Sequence, residues 1–142
     1  MCIRDRQICV AHGDKIFTNQ ENIKPLGHSI ECRINAESSK DFKPSAGKIE
    51  MYHPPAGNGI RLDTFIYSGY KVPHYYDNLL AKLISTGRTR NHAIKRALRS
   101  LNEIVIDGID TNIELHKKIL SSPEFKNGGV AINWLENNIE NL

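Results

Sequence analysis

Polar residues alternate along one short segment and could do chemistry together. Glu31, Arg33, Asn35 and Glu37 stand at every second position, which on a β-strand puts their side chains on one face, about 6.6–6.8 Å apart. A guanidinium is always charged and presents a rigid fork of donors to an anionic oxygen. We therefore consider Arg33 a candidate anion-binding residue that Glu31 and Glu37 flank and orient. Charged residues on one strand face are also commonly just solvated, and the spacing alone leaves both interpretations open.

A loop that begins with a proline is the second candidate. Pro73 is followed by His74, Tyr75, Tyr76 and Asp77, and two aromatic rings with a carboxylate could form the wall of a pocket. As an isolated feature, such a loop is more often explained by packing.

Several other kinds of site have no support in the sequence. It contains no glycine-rich phosphate loop of the P-loop or dinucleotide type and no GxSxG elbow, so we recognise no ATP site in it. Cys2, Cys9 and Cys32 show no CxxC spacing, and the histidines form no HExxH pair, so we expect no metal site. Cys32 lies among alternating apolar residues and is expected in the core.

The positive charge of the chain does not indicate a nucleic-acid surface. The formal net charge is only +3 and is spread along the sequence. Basic residues cluster from Arg88 to Arg99, but they lie on the outer side of an amphipathic helix and lack interleaved aromatic residues for base stacking. A solvated helix face is the favoured interpretation.

The elements that must position the candidate residues follow from hydrophobic periodicity. The chain has 142 residues, 39% of them hydrophobic and 25% charged, and suits one globular domain. Alternation and short apolar runs predict strands at residues 28–37, 48–52, 60–67, 79–84 and 104–106. Helical spacing or a terminating glycine predicts helices at residues 7–12, 91–104, 112–120 and around Trp134. Strands that precede helices indicate an α+β fold with an antiparallel sheet followed by packed helices.

The first six residues are expected to be foreign to the fold. Met-Cys-Ile-Arg-Asp-Arg looks like the translation of a sequencing-adapter oligonucleotide, and such segments are excluded from fold reasoning. We then expect residues 7–25 to be the end of an upstream region with a linker, and residues 26–142 to be one domain. On this interpretation the chain is a fragment of a longer protein; the alternative is a native start of unusual composition.

Four longer strings are more specific than any periodicity. They are GHSIECRINAE (27–37), PSAGKI (44–49), GIRLDTFIYSGYKVPHYYDNLLAKLI (59–84) and IDGIDTNIELHKKIL (106–120). In this order they closely resemble the C-terminal domain of biotin carboxylase. The resemblance covers essentially everything from Gln7 onward.

The resemblance implies a ligase that uses ATP and Mg²⁺ to activate bicarbonate and then carboxylates biotin on a carrier protein. It places the ATP-grasp region, with the ATP and Mg²⁺ sites, upstream of Gln7. Arg33 matches the arginine that lies beside the biotin ureido oxygen in the family, and a cation there stabilises developing negative charge. Asp77, in the YYD motif at 75–77, matches a supporting residue near the biotin pocket. Glu31 and Glu37 are expected to support Arg33.

The resemblance also implies an assembly. Arg61, in GIRLD, matches a position at the family's homodimer interface, although Asn58 stands where an aromatic residue can occur in that loop. The implied partners are the biotin carboxyl carrier protein and the carboxyltransferase subunits of acetyl-CoA carboxylase, in fatty acid synthesis. No membrane helix or secretory signal is recognised, so we expect a cytoplasmic protein, or one of the plastid stroma in a plant or alga.

Two alternatives remain open at this point. The chain could be a standalone, non-catalytic module that uses the same sheet to bind a biotinyl partner or to dimerise. It could also be a basic nucleic-acid module, which predicts oligonucleotide binding with a steep salt dependence.

Overall fold

The fold is described from a computed structural model that covers residues 3–16, 18–75 and 77–139. Its helices and strands are α1 Ile3–His12, a 3-10 helix at Gln20–Asn22, β1 His28–Asn35, β2 Gly47–Lys48, β3 Met51–His53, β4 Ile60–Thr64, β5 Lys71–Val72, β6 Leu79–Gly87, α2 Arg90–Glu103, β7 Val105–Asp107, α3 Ile113–Ser121, α4 Pro123–Asn127 and α5 Trp134–Asn138. The predicted α+β class is confirmed, with all strand pairs antiparallel. No helix in the described ranges is long and apolar enough to cross a membrane.

A three-stranded sheet in the order β1-β6-β4 carries the main core. The alternation in β1 buries Ile30, Cys32 and Ile34 on one face, and Leu83 of β6, fully buried, joins them there. The apolar stripe of α2 covers this face, as its helical spacing predicts. The opposite face of the sheet is therefore not covered by α2.

The connection between β6 and α2 is tight. A Cβ on Gly87 would lie only 2.6 Å from the backbone nitrogen of Ala93, so only glycine lets the strand end approach the helix this closely. Thr89 caps the helix, because its side chain accepts a hydrogen bond from the His92 backbone N–H.

A second, smaller core lies beside two short ladders, β2–β5 and β3–β7. The strand predicted at residues 48–52 is divided between them. Ile49 N–H donates to the Tyr70 carbonyl, whereas Glu50 N–H donates to the carbonyl of Asp107. The backbone thus changes partner between consecutive residues, which alternation in one strand cannot predict.

Three other segments differ from the prediction, two of them because of side-chain hydrogen bonds. The strand predicted at residues 60–67 ends at Thr64, where the Thr64 hydroxyl donates to the Leu80 carbonyl and accepts from the Ile66 N–H. The segment after Ser121 forms the unpredicted helix α4, since Ser122 caps it and Pro123 occupies its first turn. The short strand β5 is also absent from the predicted strands.

Candidate functional site

The side of the three-stranded sheet that α2 does not cover is here called the polar sheet face. It carries five charged residues, Glu31, Arg33, Arg61, Asp63 and Lys82. The register places Arg33, Lys82 and Asp63 in one row across β1, β6 and β4. Glu31 and Arg61 lie in the neighbouring row, on either side of Ile84. The face therefore carries both signs of charge, with the cations Arg33 and Lys82 adjacent and Asp63 on the other side of Lys82.

Arg33 is exposed, and its backbone is held from outside the sheet. Its carbonyl oxygen accepts hydrogen bonds from Asn112 Nδ2 at 3.2 Å and from His116 Nε2 at 2.8 Å. In a strand, the N–H and the C=O of one residue point toward the same edge. Because the Arg33 carbonyl points away from β6, Arg33 and Lys82 form a non-hydrogen-bonded pair, in which Cα atoms lie about 4.5 Å apart. Within the described residues, the Arg33 guanidinium has no hydrogen bond or ion pair. It is free to contact a ligand.

The two glutamates predicted to flank Arg33 differ in position. Glu31 is exposed on the polar sheet face, and its charge adds to burial in raising the pKa of the Cys32 thiol to about 12. Glu37 lies beyond the register shift in β1, which falls between Ile34 and Asn35. Neither carboxylate contacts the guanidinium in the described part of the chain, so direct orientation of Arg33 by either stays a prediction.

Glu37 instead joins three asparagine side chains. Its Oε1 accepts from Asn35 Nδ2 at 3.2 Å and from Asn112 Nδ2 at 2.9 Å, and its Oε2 accepts from Asn78 Nδ2 at 2.8 Å. The same Asn112 nitrogen contacts the Arg33 carbonyl. Glu37 is therefore linked to the Arg33 backbone by hydrogen bonds through Asn112.

Asp77 lies two residues before β6 and adjoins Asn78 of this network. One oxygen of its carboxylate accepts a hydrogen bond from Leu79 N–H at 2.9 Å, which is the geometry of an Asx turn. Together with Pro73, His74 and Asn78 it lines a cavity of about 280 Å³. Tyr76 of the predicted YYD motif lies outside the described residues. The loop thus forms a cavity wall at the end of β1 and β6 nearest Arg33.

Arg61 is paired within its own strand. Its Nε and Nη2 atoms donate to the two carboxylate oxygens of Asp63, both at 2.8 Å. The pKa of Asp63 is lowered, chiefly by this hydrogen bond, with smaller contributions from the charges of Arg61 and Lys82. Asn58 is exposed in the preceding turn. Arg61 and Asn58 are thus both accessible on the surface of this chain.

Sequence reasoning missed Asn112 and His116, although both stand in one of the quoted strings. Asn112 is 5% exposed and precedes α3; His116 lies one helical turn further on. Among the described residues no group of three or more His, Cys, Asp or Glu side chains is arranged to hold a metal.

The imidazole of His116 bonds to the same Arg33 carbonyl as Asn112. Burial lowers the pKa of His116 from its ordinary 6.5, while the bond to the Arg33 carbonyl and the charge of Glu37 oppose this shift. Because a carbonyl oxygen only accepts, Nε2 of the neutral ring carries the proton.

This lowered pKa predicts a loss of stability in acid. The unfolded state binds a proton more readily than the folded state, so the contribution of His116 is complete above pH 6.5 and is lost as the pH falls below that value. We expect the free energy of unfolding, measured with urea at pH 7.5 and pH 5.5, to fall more steeply for the unaltered chain than for His116→Gln. Equal falls in the two proteins would contradict this assignment. The other histidines are all exposed.

Comparison with known proteins identifies the class of domain that this fold and polar face define. The family model of the biotin carboxylase C-terminal domain matches residues 31–137. The chain therefore belongs to the biotin carboxylase C-terminal domain family, and the resemblance noted in the sequence is confirmed.

Individual relatives agree with this assignment. The chain is 50% identical over 130 residues to biotin carboxylase of Haemophilus influenzae, covering 92% of the chain but 29% of the relative. It is 47% identical over 139 residues to the chloroplastic biotin carboxylase of Arabidopsis thaliana, covering 97% of the chain and 26% of the relative. The chain spans less than a third of the length of these relatives.

Solved structures show the same fold. The biotin carboxylase of Campylobacter jejuni, in a complex described as β-γ-ATP, matches with a TM-score of 0.89 at 42% identity, over 96% of this chain and 30% of that one. The biotin carboxylase domain dimer of Hydrogenobacter thermophilus 2-oxoglutarate carboxylase, bound to MgADP, ADP and bicarbonate, matches with a TM-score of 0.91 at 38% identity. That match covers 99% of this chain and 31% of the other.

Proposed function

We propose that this chain is the C-terminal part of a biotin carboxylase, the ATP-dependent ligase that carboxylates biotin on a carrier protein with bicarbonate. Within that enzyme, it supplies one wall of the biotin site and part of a homodimer interface. The Arg33 guanidinium supports this assignment best, because it is exposed on the polar sheet face and has no partner in the described ranges. An exposed guanidinium without a partner is available to an anionic oxygen of a ligand.

The chemistry that Arg33 serves is charge stabilisation. When the ureido nitrogen of biotin loses its proton, negative charge develops on the ureido oxygen, and a preorganised cation beside that oxygen lowers the barrier. Lys82, opposite Arg33 on β6, adds positive potential at the same end of the face. Asp77 and its loop border the biotin pocket. ATP and Mg²⁺ are bound by the ATP-grasp region upstream of Gln7, so the isolated chain is inactive.

The proposed partners follow from this role. They are the biotin carboxyl carrier protein, the carboxyltransferase subunits of acetyl-CoA carboxylase and a second copy of the enzyme, acting in fatty acid synthesis. Bacterial and chloroplastic relatives both match the chain, which supports a location in the cytoplasm or, in a plant or alga, the plastid stroma.

A chimera tests the proposed activity. It joins residue 7 and everything after it in this chain to the upstream part of the H. influenzae biotin carboxylase, and is called the chimera below. We expect bicarbonate-dependent ATP hydrolysis stimulated by free biotin in the chimera and none in the 142-residue chain. A folded chimera without this activity would contradict the proposal and favour a non-catalytic binding or dimerisation module.

The dimer assignment predicts an effect of charge reversal at Arg61. We expect Arg61→Glu to raise the dimer dissociation constant of the chimera about 100-fold, since like charges brought together at an interface cost several kcal/mol. In this variant the new carboxylate also faces Asp63, which pairs with Arg61 in the unaltered chain. Sedimentation velocity over a concentration series measures the change. Lys95→Glu, on the exposed side of α2, is the matched control, and equal dissociation constants for both variants would place the interface elsewhere.

A further inference from the structure

We propose that Asn112 and His116 are positioning residues that fix the direction of the Arg33 side chain by bonding its backbone from helix α3 and the residue that precedes it. This proposal rests on the proposed function, because it concerns the same site. Each residue acts on Arg33 through the carbonyl group.

The position of β1 makes an outside support necessary. β1 is an edge strand of its sheet, so alternate residues direct their N–H and C=O groups away from β6. Arg33 and Asn35 are two such residues, as their bonds to α3 and its preceding residue show. The β1–β6 register also shifts between Ile34 and Asn35, directly after Arg33. The pairing of β1 with β6 is therefore irregular close to Arg33.

Asn112 replaces the missing strand partner. Its Oδ1 accepts from Asn35 N–H at 2.9 Å, and its own backbone N–H donates to the Asn35 carbonyl at 3.3 Å. Its Nδ2 donates to the Arg33 carbonyl and to Glu37. Both polar atoms of this buried amide are thus used, and Glu37, itself held by Asn78, fixes which way the amide faces.

His116 supplies the second donor to the same carbonyl. Its Nε2 lies 2.8 Å from the Arg33 oxygen, so both lone pairs of that oxygen are engaged. Two donors hold the peptide group after Arg33, His116 on α3 and Asn112 directly before it. The Cα–Cβ bond of Arg33 therefore keeps a fixed direction toward the polar sheet face. A displacement of about 1 Å at a reacting centre can cost about 100-fold in rate, so this support is expected to matter for turnover.

The test uses the chimera and measures kcat and KM for biotin carboxylation from labelled bicarbonate. We expect Asn112→Ala and His116→Leu each to lower kcat by about 10- to 100-fold with the KM for ATP unchanged. His116→Gln, which keeps an N–H donor, should restore most of the activity. Lys118→Ala, on the exposed side of the same helix, is the control for α3. If Asn112→Ala fails to fold, the two His116 variants carry the test alone.

Double variants separate positioning from general stability. In an Arg33→Ala background, a residue that acts through Arg33 has nothing left to position, so adding His116→Leu should lower kcat no further. An equal further loss in that background would overturn the proposal, as would unchanged kcat in both single variants while Arg33→Ala is impaired. Full activity of Arg33→Ala itself would be a different result, because it would remove the proposed role of Arg33 in biotin carboxylation.

Discussion

Replacing Arg33 by alanine in the chimera is expected to lower kcat for biotin carboxylation by about 10²- to 10³-fold, the usual effect of removing one donor that stabilises transition-state charge. The reason is that negative charge on the biotin ureido oxygen would lose its fixed cation. Lys82 lies on the neighbouring strand, but its flexible ammonium lacks the planar fork of a guanidinium and is not expected to compensate.

The Arg33→Ala experiment separates binding from chemistry. We expect the KM for ATP to be unchanged, because the ATP site is proposed to lie in the upstream region. Lys95→Ala removes the same charge from the far side of the sheet, on the exposed surface of α2, and should retain full activity. Equal activity of the two variants would show that Arg33 is a solvated surface residue, the other interpretation that its spacing left open.

Replacing Leu83 by alanine is expected to destabilise the 142-residue chain by about 2–5 kcal/mol, the range for large-to-small changes in a closed core. Leu83 lies at the centre of the middle strand, opposite Cys32 on one side and Leu62 on the other. It is 0% exposed and packs in the cluster beneath α2. Truncation would leave a cavity enclosed by regular elements that cannot easily collapse.

Urea unfolding of the same chain measures this effect. Leu26→Ala is the matched control, because Leu26 is 95% exposed and surface changes usually stay within about 0.5 kcal/mol. We expect the midpoint to fall for Leu83→Ala with little change in the slope of free energy against urea. Equal midpoints for the two variants would mean that the cluster beneath α2 is not a closed core.

Local periodicity predicted the main sheet and helix correctly. The alternation around Arg33 identified both faces of β1, and the apolar stripe of residues 91–104 identified α2, which begins and ends within one residue of the prediction. These features are local, because burial of one face imposes a period on the sequence itself. The exposure of Arg33 on the polar face followed from the same alternation.

The network behind Arg33 could not be predicted in this way. The contact between Arg33 and His116 joins residues 83 apart in the sequence, and that between Asn35 and Asn112 joins residues 77 apart. Such pairs leave no periodic signal, because only the folded topology brings α3 to the open edge of β1. The change of partner between Ile49 and Glu50 escaped prediction for a similar reason, since it depends on where β5 and β7 lie.

A crystal structure of the chimera with biotin bound tests the central claim most directly. We predict that the ureido oxygen lies within hydrogen-bonding distance of the Arg33 guanidinium, about 2.7–3.2 Å, with the loop of Asp77 bordering the ligand. Biotin bound away from the polar sheet face, with Arg33 still facing solvent, would contradict the claim that this domain forms a wall of the biotin site.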